Sequence, residues 1–173
     1  MKKNIILDLD GVIADIDTAI SEYLHDDGGD HIDYSTWLIA DTIDEDALKL
    51  FSNSLFWKNL KPFEDAWHQV NYWFSEGVDV HILTARRMVA SMEAAVPWLN
   101  EWKINTLIPK FSSYNEKYKM AKEISPLYMV EDNPSEVKIL LDNGINCFLR
   151  KAWYNKSYWK KLPTIDTLYD LDL

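Results

Sequence analysis

Cysteine is nearly absent: Cys147 is the single thiol among 173 residues. One thiol excludes an internal disulfide and a cysteine-rich zinc site, and it fits a reducing compartment. It lies in "INCFL" (145–149), which reads as a buried strand, so a plain core thiol is expected. Positive charge is also scarce, with 18 Lys and Arg against 28 Asp and Glu and a net charge of −10. The imbalance sits in positions 1–60, which hold 13 acidic and 4 basic residues, against 15 and 14 in the remainder. An acidic first third argues against a duplex nucleic-acid binder, which needs a basic face. It is compatible with a small anion held through a divalent cation. Long hydrophobic runs are missing too. No stretch approaches the roughly 20 apolar residues of a membrane span. Lys2 and Lys3 precede an apolar run that stops at Asp8, too early for a secretory signal, so a cytoplasmic location is expected. Internal repeats and low-complexity tracts are not seen.

What is present is an alternation of short apolar runs and helical patterns. The runs "IILDL" (5–9), "VDVHILT" (78–84), "INTLI" (104–108), "LYMVE" (127–131) and "INCFL" (145–149) read as strands. Helices are predicted over 65–76, 88–102, 115–124 and 133–144, with Pro97 as a kink or break in the second. The last of them carries boundary chemistry: Asn133 as N-cap, Pro134 in the first turn, Glu136 at the capping-box position and Gly144 at the C-terminus. Such alternation predicts an α/β domain, a parallel sheet covered on both faces. Residues 16–61 break the rhythm with helical stretches at 17–25 and 44–53 and a turn-rich acidic loop at 25–34. They are expected to form a small helical cap inserted after the first strand, leaving 1–15 and 62–173 as the core.

Ligands of open parallel sheets bind beyond the carboxyl ends of the strands. Three predicted strand ends carry Asp8-Leu9-Asp10-Gly11, Thr84-Ala85-Arg86-Arg87 and Glu131-Asp132-Asn133. A lysine-rich helix start (Lys117, Lys119, Lys122) precedes the third. Two carboxylates closing a core strand need a neutralising partner. Asp8, Asp132 and Glu131 converging on one point would select a hard cation, with Mg²⁺ the usual one beside phosphate. Thr84 and a lysine could then hold phosphate oxygens. Gly11 would let the chain turn so that Asp10 points back to the site.

In that order and placement, "LDLDGVIAD", "ILTAR", a lysine near 117 and "VEDNP" resemble the four motifs of the haloacid dehalogenase-like (HAD) phosphatases. The resemblance implies a three-layer Rossmann-like α/β fold and a small cap after the first strand. Within that superfamily the chain is most similar to the 5'(3')-deoxyribonucleotidases, through "LFWKNLKPFEDA" (55–66), "VPWLNEW" (96–102) and "LRKAWYN" (149–155). It implies a 5'-nucleotidase-like hydrolase of phosphate monoesters. Asp8 would be the nucleophile, and Asp10 the acid and then base. Thr84 and Lys117 would bind the phosphoryl group, with Lys119 as the alternative lysine. Asp8, the Asp10 carbonyl, Asp132 and Glu131 would surround Mg²⁺. Ala85, Arg86, Tyr34, Trp37, Phe56 and Trp57 are the expected substrate-binding residues. The chain departs from the nucleotidases in having Glu131 where they carry aspartate, Arg86 and Arg87 where small residues or proline are expected, and Ile16 in place of an aromatic residue. The expected partner is a small phosphate ester, with no membrane and no duplex nucleic acid, and with a homodimer allowed. The competing readings are a sugar phosphate or a nucleic-acid 3'-phosphate end as substrate, and a non-catalytic binding module. The basic, aromatic "RKAWYNKSYWKK" (150–161) is expected to be a surface helix with snorkelling lysines rather than a single-strand-binding strip.

Overall fold

The computed structural model describes residues 2–26 and 50–173. Residues 27–34 of the expected loop 25–34, residues 44–49 of the expected helical stretch 44–53, Tyr34 and Trp37 lie outside the described residues; residues 25–26 are helical rather than loop, and residues 50–52 are helical. In chain order the elements are β1 (Asn4–Leu7), α1 (Ile16–Asp26), α2 (Ser54–Asn59), α3 (Glu64–Ser75), β2 (Asp79–Thr84), α4 (Val89–Glu101), β3 (Lys110–Phe111), α5 (Lys117–Ile124), β4 (Tyr128–Glu131), α6 (Pro134–Asp142), β5 (Cys147–Arg150), a 3-10 turn (Trp153–Tyr158) and β6 (Thr164–Ile165). The six strands form one parallel sheet in the order β3-β2-β1-β4-β5-β6. The expected α/β Rossmann-like architecture is therefore the one found. No helix among the described residues is long and apolar enough to cross a membrane.

Side chains alternate across the sheet and split the core in two. Ile5 and Leu7 face a cluster with Val70 and Trp73 of α3 and Ala95 and Trp98 of α4. Ile6 and Met129 face the other, with Ala121 of α5 and Val137 and Leu140 of α6. Cys147 is buried in this second cluster, a core thiol as expected. Period two then assigns directions at the strand ends. Asp8 shares the parity of Ile6, and Glu131 that of Met129, so both carboxylates lean toward α5.

The segment between β1 and α3 leaves and rejoins the sheet at one place. Asp15 N donates to Lys61 O at 2.8 Å, and Phe63 N to Ile13 O at 2.9 Å. Three local expectations need correction. Residues 104–108 are not a strand: Leu107 N reaches Val80 O, but Ile108 is 83% exposed, Pro109 has no N–H, and ladder pairing starts only at Lys110. Pro97 neither breaks nor ends α4, because it stands on the exposed face, where water can serve the carbonyl it leaves without a partner. Asn133 caps α6 by accepting from Ser135 N at 2.8 Å, yet Glu136 does not complete a capping box. It is buried and accepts from Asn115 N instead.

Candidate active site

The strand order runs outward in both directions from β1 and β4, so the topological switch point, where ligands of such sheets bind, falls at the carboxyl ends of these two strands. Leu7 pairs with Val130, and Asp8 N donates to Val130 O at 2.9 Å. This register sets Asp8 beside Glu131 and Asp132. Ligand oxygens of Asp8, Glu131 and Asp132 lie within 4.8 Å of one another, and all three residues are buried. Lys117, the first residue of α5 and only 1% exposed, enters from the side. Its ammonium lies 2.9 Å from Asp8 Oδ2 and 2.6 Å from Glu131 Oε2. Lys119 is instead exposed and paired with Glu116. The lysine that reaches the strand ends is thus Lys117.

Backbone groups complete the frame. Leu9 N donates to Asp8 Oδ1 at 2.7 Å, and Asn133 N to Glu131 Oε1 at 3.2 Å. Gly11 has φ +72°, and a Cβ there would fall on Asp132 Oδ2 and 2.9 Å from the Tyr154 hydroxyl. The glycine that turns the chain is also the one that makes room for the opposing carboxylate.

Three carboxylates crowd a desolvated place in which, among the described residues, one ammonium pairs with two of them, and their acidities respond. Burial raises Asp8 well above the ordinary aspartate range, with Glu131 adding repulsion. Burial likewise pushes Glu131 and Asp132 up to about 7. Burial works against the charge on Lys117, but Asp8 and Glu131 outweigh it and hold the ammonium protonated. The Oδ1 atom of Asp132 is buried without a hydrogen-bond partner among the described residues. An orphaned carboxylate oxygen inside an acidic cluster fits a hard cation bound by oxygen ligands, which would relieve both the repulsion and the missing partner. Asp8, Asp132 and, directly or through water, Glu131 are the side chains that could hold it.

Asp10 is gripped from the other side. Arg86 Nε donates to Asp10 Oδ2 at 2.8 Å, Nη2 to Oδ1 at 2.6 Å, and Nη1 to Ser91 O at 3.0 Å. The guanidinium lies 4.5 Å from the ring centre of Trp57 in α2. Trp57 is buried, donates to Phe51 O, and packs with Phe51 and half-buried Phe56. Thr84 and Ala85 are buried where β2 ends, and Arg86 N lies 3.4 Å from Thr84 Oγ1.

Two residues of the site were not anticipated. Tyr154 donates its hydroxyl to Asp132 Oδ2. Asn155, fully buried, donates from Nδ2 to the carbonyls of Asp132 and Arg150, both at 2.9 Å. Segment 150–161 is therefore not simply a surface helix: its 3-10 turn supports the acidic cluster. The signal available was position, since these residues follow β5, the strand beside β4, at the same rim.

Searches with the sequence match no protein-family model and no curated protein. Solved structures do match. The chain is similar to a haloacid dehalogenase-like family hydrolase, SP0104, from Streptococcus pneumoniae (12% identity, TM-score 0.64, 98% of this chain and 96% of that one). It is similar to the HAD-hydrolase YfnB of Bacillus subtilis, solved with magnesium (13%, 0.64, 98% and 96%). It also resembles a mutant of CbbY from Rhodobacter sphaeroides in complex with xylulose-1,5-bisphosphate (14%, 0.63, 100% and 100%). The fold is accordingly that of the HAD-like hydrolases.

Proposed function

We propose that the protein is a Mg²⁺-dependent phosphatase that hydrolyses a small phosphate monoester, a (deoxy)nucleoside monophosphate in the first instance, through an aspartyl-phosphate on Asp8. The observation that carries this reading is the buried cluster of Asp8, Glu131 and Asp132 around Lys117, with one Asp132 oxygen unpartnered.

The placement of these residues supports the following chemistry. An Asp8 oxygen forms a bond to phosphorus as the ester P–O bond breaks, and Asp10 gives its proton to the leaving oxygen. Water then attacks the phosphoenzyme and gives a proton to Asp10, releasing inorganic phosphate and free Asp8. Lys117 is fixed 2.9 Å from the nucleophile and stabilises charge gathering on the phosphoryl oxygens, with Thr84 on the facing strand end. A Mg²⁺ ion held by Asp8 and Asp132 would neutralise the same charge. Arg86 keeps one of its two hydrogen bonds to Asp10 and so directs it at the leaving oxygen, while the other opens for the proton to be exchanged. Ala85 and Arg86 line this end of β2, and Phe56 offers a half-buried ring for a base or sugar.

The test is phosphate release from a panel of nucleoside monophosphates, sugar phosphates and a 3'-phosphorylated oligonucleotide, with Mg²⁺ and with chelator. Turnover should need Mg²⁺, favour nucleotides and vanish in Asp8→Asn. A wild-type rate in Asp8→Asn would remove the phosphoenzyme, and preference for sugar phosphates would replace the substrate assignment. No turnover on any substrate, with Mg²⁺ still bound, would turn the site into a binding module.

A further inference from the structure

The turn after β5 fixes Asp132 at both ends. Asn155 Nδ2 holds its backbone carbonyl at 2.9 Å, and the Tyr154 hydroxyl holds Oδ2. Asn155 is itself locked: its Oδ1 accepts from Ala152 N at 3.0 Å and from Trp159 Nε1 at 2.7 Å. Opposite Tyr154 stands Gly11, whose missing side chain leaves room for Asp132 Oδ2. The carboxylate is therefore enclosed on its Oδ2 side by a phenol and a backbone, and Oδ1 alone is left without a partner among the described residues.

A carboxylate that can present one oxygen is a different ligand from one that can present two. Ca²⁺ takes six to eight oxygens in loose geometry and readily accepts a carboxylate through both. Mg²⁺ requires near-octahedral coordination at short distance and takes carboxylates one oxygen at a time. We infer that Tyr154 is a positioning residue that restricts Asp132 to one-oxygen coordination and so makes the acidic cluster selective for Mg²⁺ over Ca²⁺. The inference rests on the cation site proposed above and adds to it a residue and an ion preference. Removing the hydroxyl would free Oδ2 and let Asp132 rotate, weakening the small ion and easing the large one. Outer hydrogen bonds of this kind commonly change metal affinity by about 10- to 100-fold.

The experiment is titration calorimetry of the whole chain with MgCl₂ and, separately, CaCl₂, on wild type, Tyr154→Phe and Trp153→Phe. Trp153 belongs to the same turn but donates to the Asp17 carboxylate rather than to the acidic cluster. Tyr154→Phe should bind Mg²⁺ at least about tenfold more weakly and Ca²⁺ as well as or better than wild type, while Trp153→Phe keeps the wild-type ratio. An unchanged ratio in Tyr154→Phe, or an equal change in Trp153→Phe, would overturn the inference. Should Tyr154→Phe not fold by circular dichroism, wild type alone decides: tighter binding of Ca²⁺ than of Mg²⁺ overturns it, and the reverse supports it. Wild type that binds neither ion sinks the cation site together with the inference. Wild type that binds Mg²⁺ while Tyr154→Phe is indistinguishable sinks the inference alone.

Discussion

Arg86 holds both carboxylate oxygens of Asp10, at 2.8 Å through Nε and 2.6 Å through Nη2, with the guanidinium resting on the Trp57 ring. A planar fork can orient a carboxylate in a way that a point charge cannot. In the proposed reaction Asp10 must meet the leaving oxygen in a defined direction. Arg86→Lys should therefore lower kcat by about 100-fold, the scale of a small misplacement of a catalytic group, with the fold retained. Steady-state kinetics beside far-UV circular dichroism check this, and a near-wild-type kcat would dissociate Arg86 from the acid–base step.

Lys117 and Lys119 lie two residues apart and should behave oppositely. Lys117 is the sole ammonium touching Asp8 and Glu131 among the described residues, whereas Lys119 pairs with Glu116 in solvent. Lys117→Met strips the buried carboxylates of their counter-charge and removes the proposed phosphoryl ligand, so activity should disappear and stability without metal should fall by about 3–5 kcal/mol. Lys119→Ala, which removes only a solvent-screened surface pair, should leave the urea midpoint and turnover as in wild type. Urea unfolding and phosphate-release assays on the two variants read both quantities.

Stability without metal should decline as pH rises. Burial pushes Glu131 and Asp132 up to about 7, while unfolded carboxylates titrate near 4. Between roughly pH 4 and 7 the folded chain binds more protons than the unfolded one, so this contribution to stability is present below the unfolded pKa and is lost as pH climbs through the folded one. In chelator, Tm should be lower at about pH 8 than at about pH 5.5. Mg²⁺, or the substitution Asp132→Asn, should narrow the gap. Differential scanning fluorimetry across pH is sufficient, and a Tm that climbs with pH in chelator would contradict the reading.

The opposite sign belongs to Asp65. It accepts both arms of Arg150, at 2.8 and 2.7 Å, and the N–H of Leu168 at 2.8 Å. Partial burial acts to raise its pKa, but the Arg150 hydrogen bonds and charge prevail and hold it below the ordinary range. Its contribution is present above the unfolded pKa and lost as pH falls through the lowered one. Asp65→Ala leaves the Arg150 guanidinium inside the protein without its carboxylate and should cost about 3–5 kcal/mol by urea unfolding near pH 7.

Much of this architecture could be read from residue order because the residues obey simple periods. β1, β2, β4 and β5 were legible as apolar runs, and the convergence of Asp8, Glu131 and Asp132 followed from polar residues at the carboxyl ends of β1 and β4. The short third strand was not, since Ile104, Leu107 and Ile108 imitate a strand while Pro109 postpones its pairing. Glu136 obeyed a local capping rule in sequence, but in space Asn115 N offered it a better partner. Tyr154 and Asn155 were hidden in a basic, aromatic stretch whose composition suggests a surface. Only the neighbourhood of β5 and β4 in the sheet reveals that they meet Asp132. Trp57 was expected to touch substrate, and the structure shows it buried beneath Arg86.

The central position of β1 has a kinetic consequence. Its two partners, β2 and β4, come from distant parts of the chain, so sheet closure waits on slow, non-local encounters. Closing β1 onto β4 is also the event that forces Asp8 against Glu131 and Asp132. The polypeptide must therefore overcome its own like-charge repulsion at the moment it completes its central seam, and whatever neutralises those carboxylates would act on the speed of folding as well as on the chemistry proposed for them.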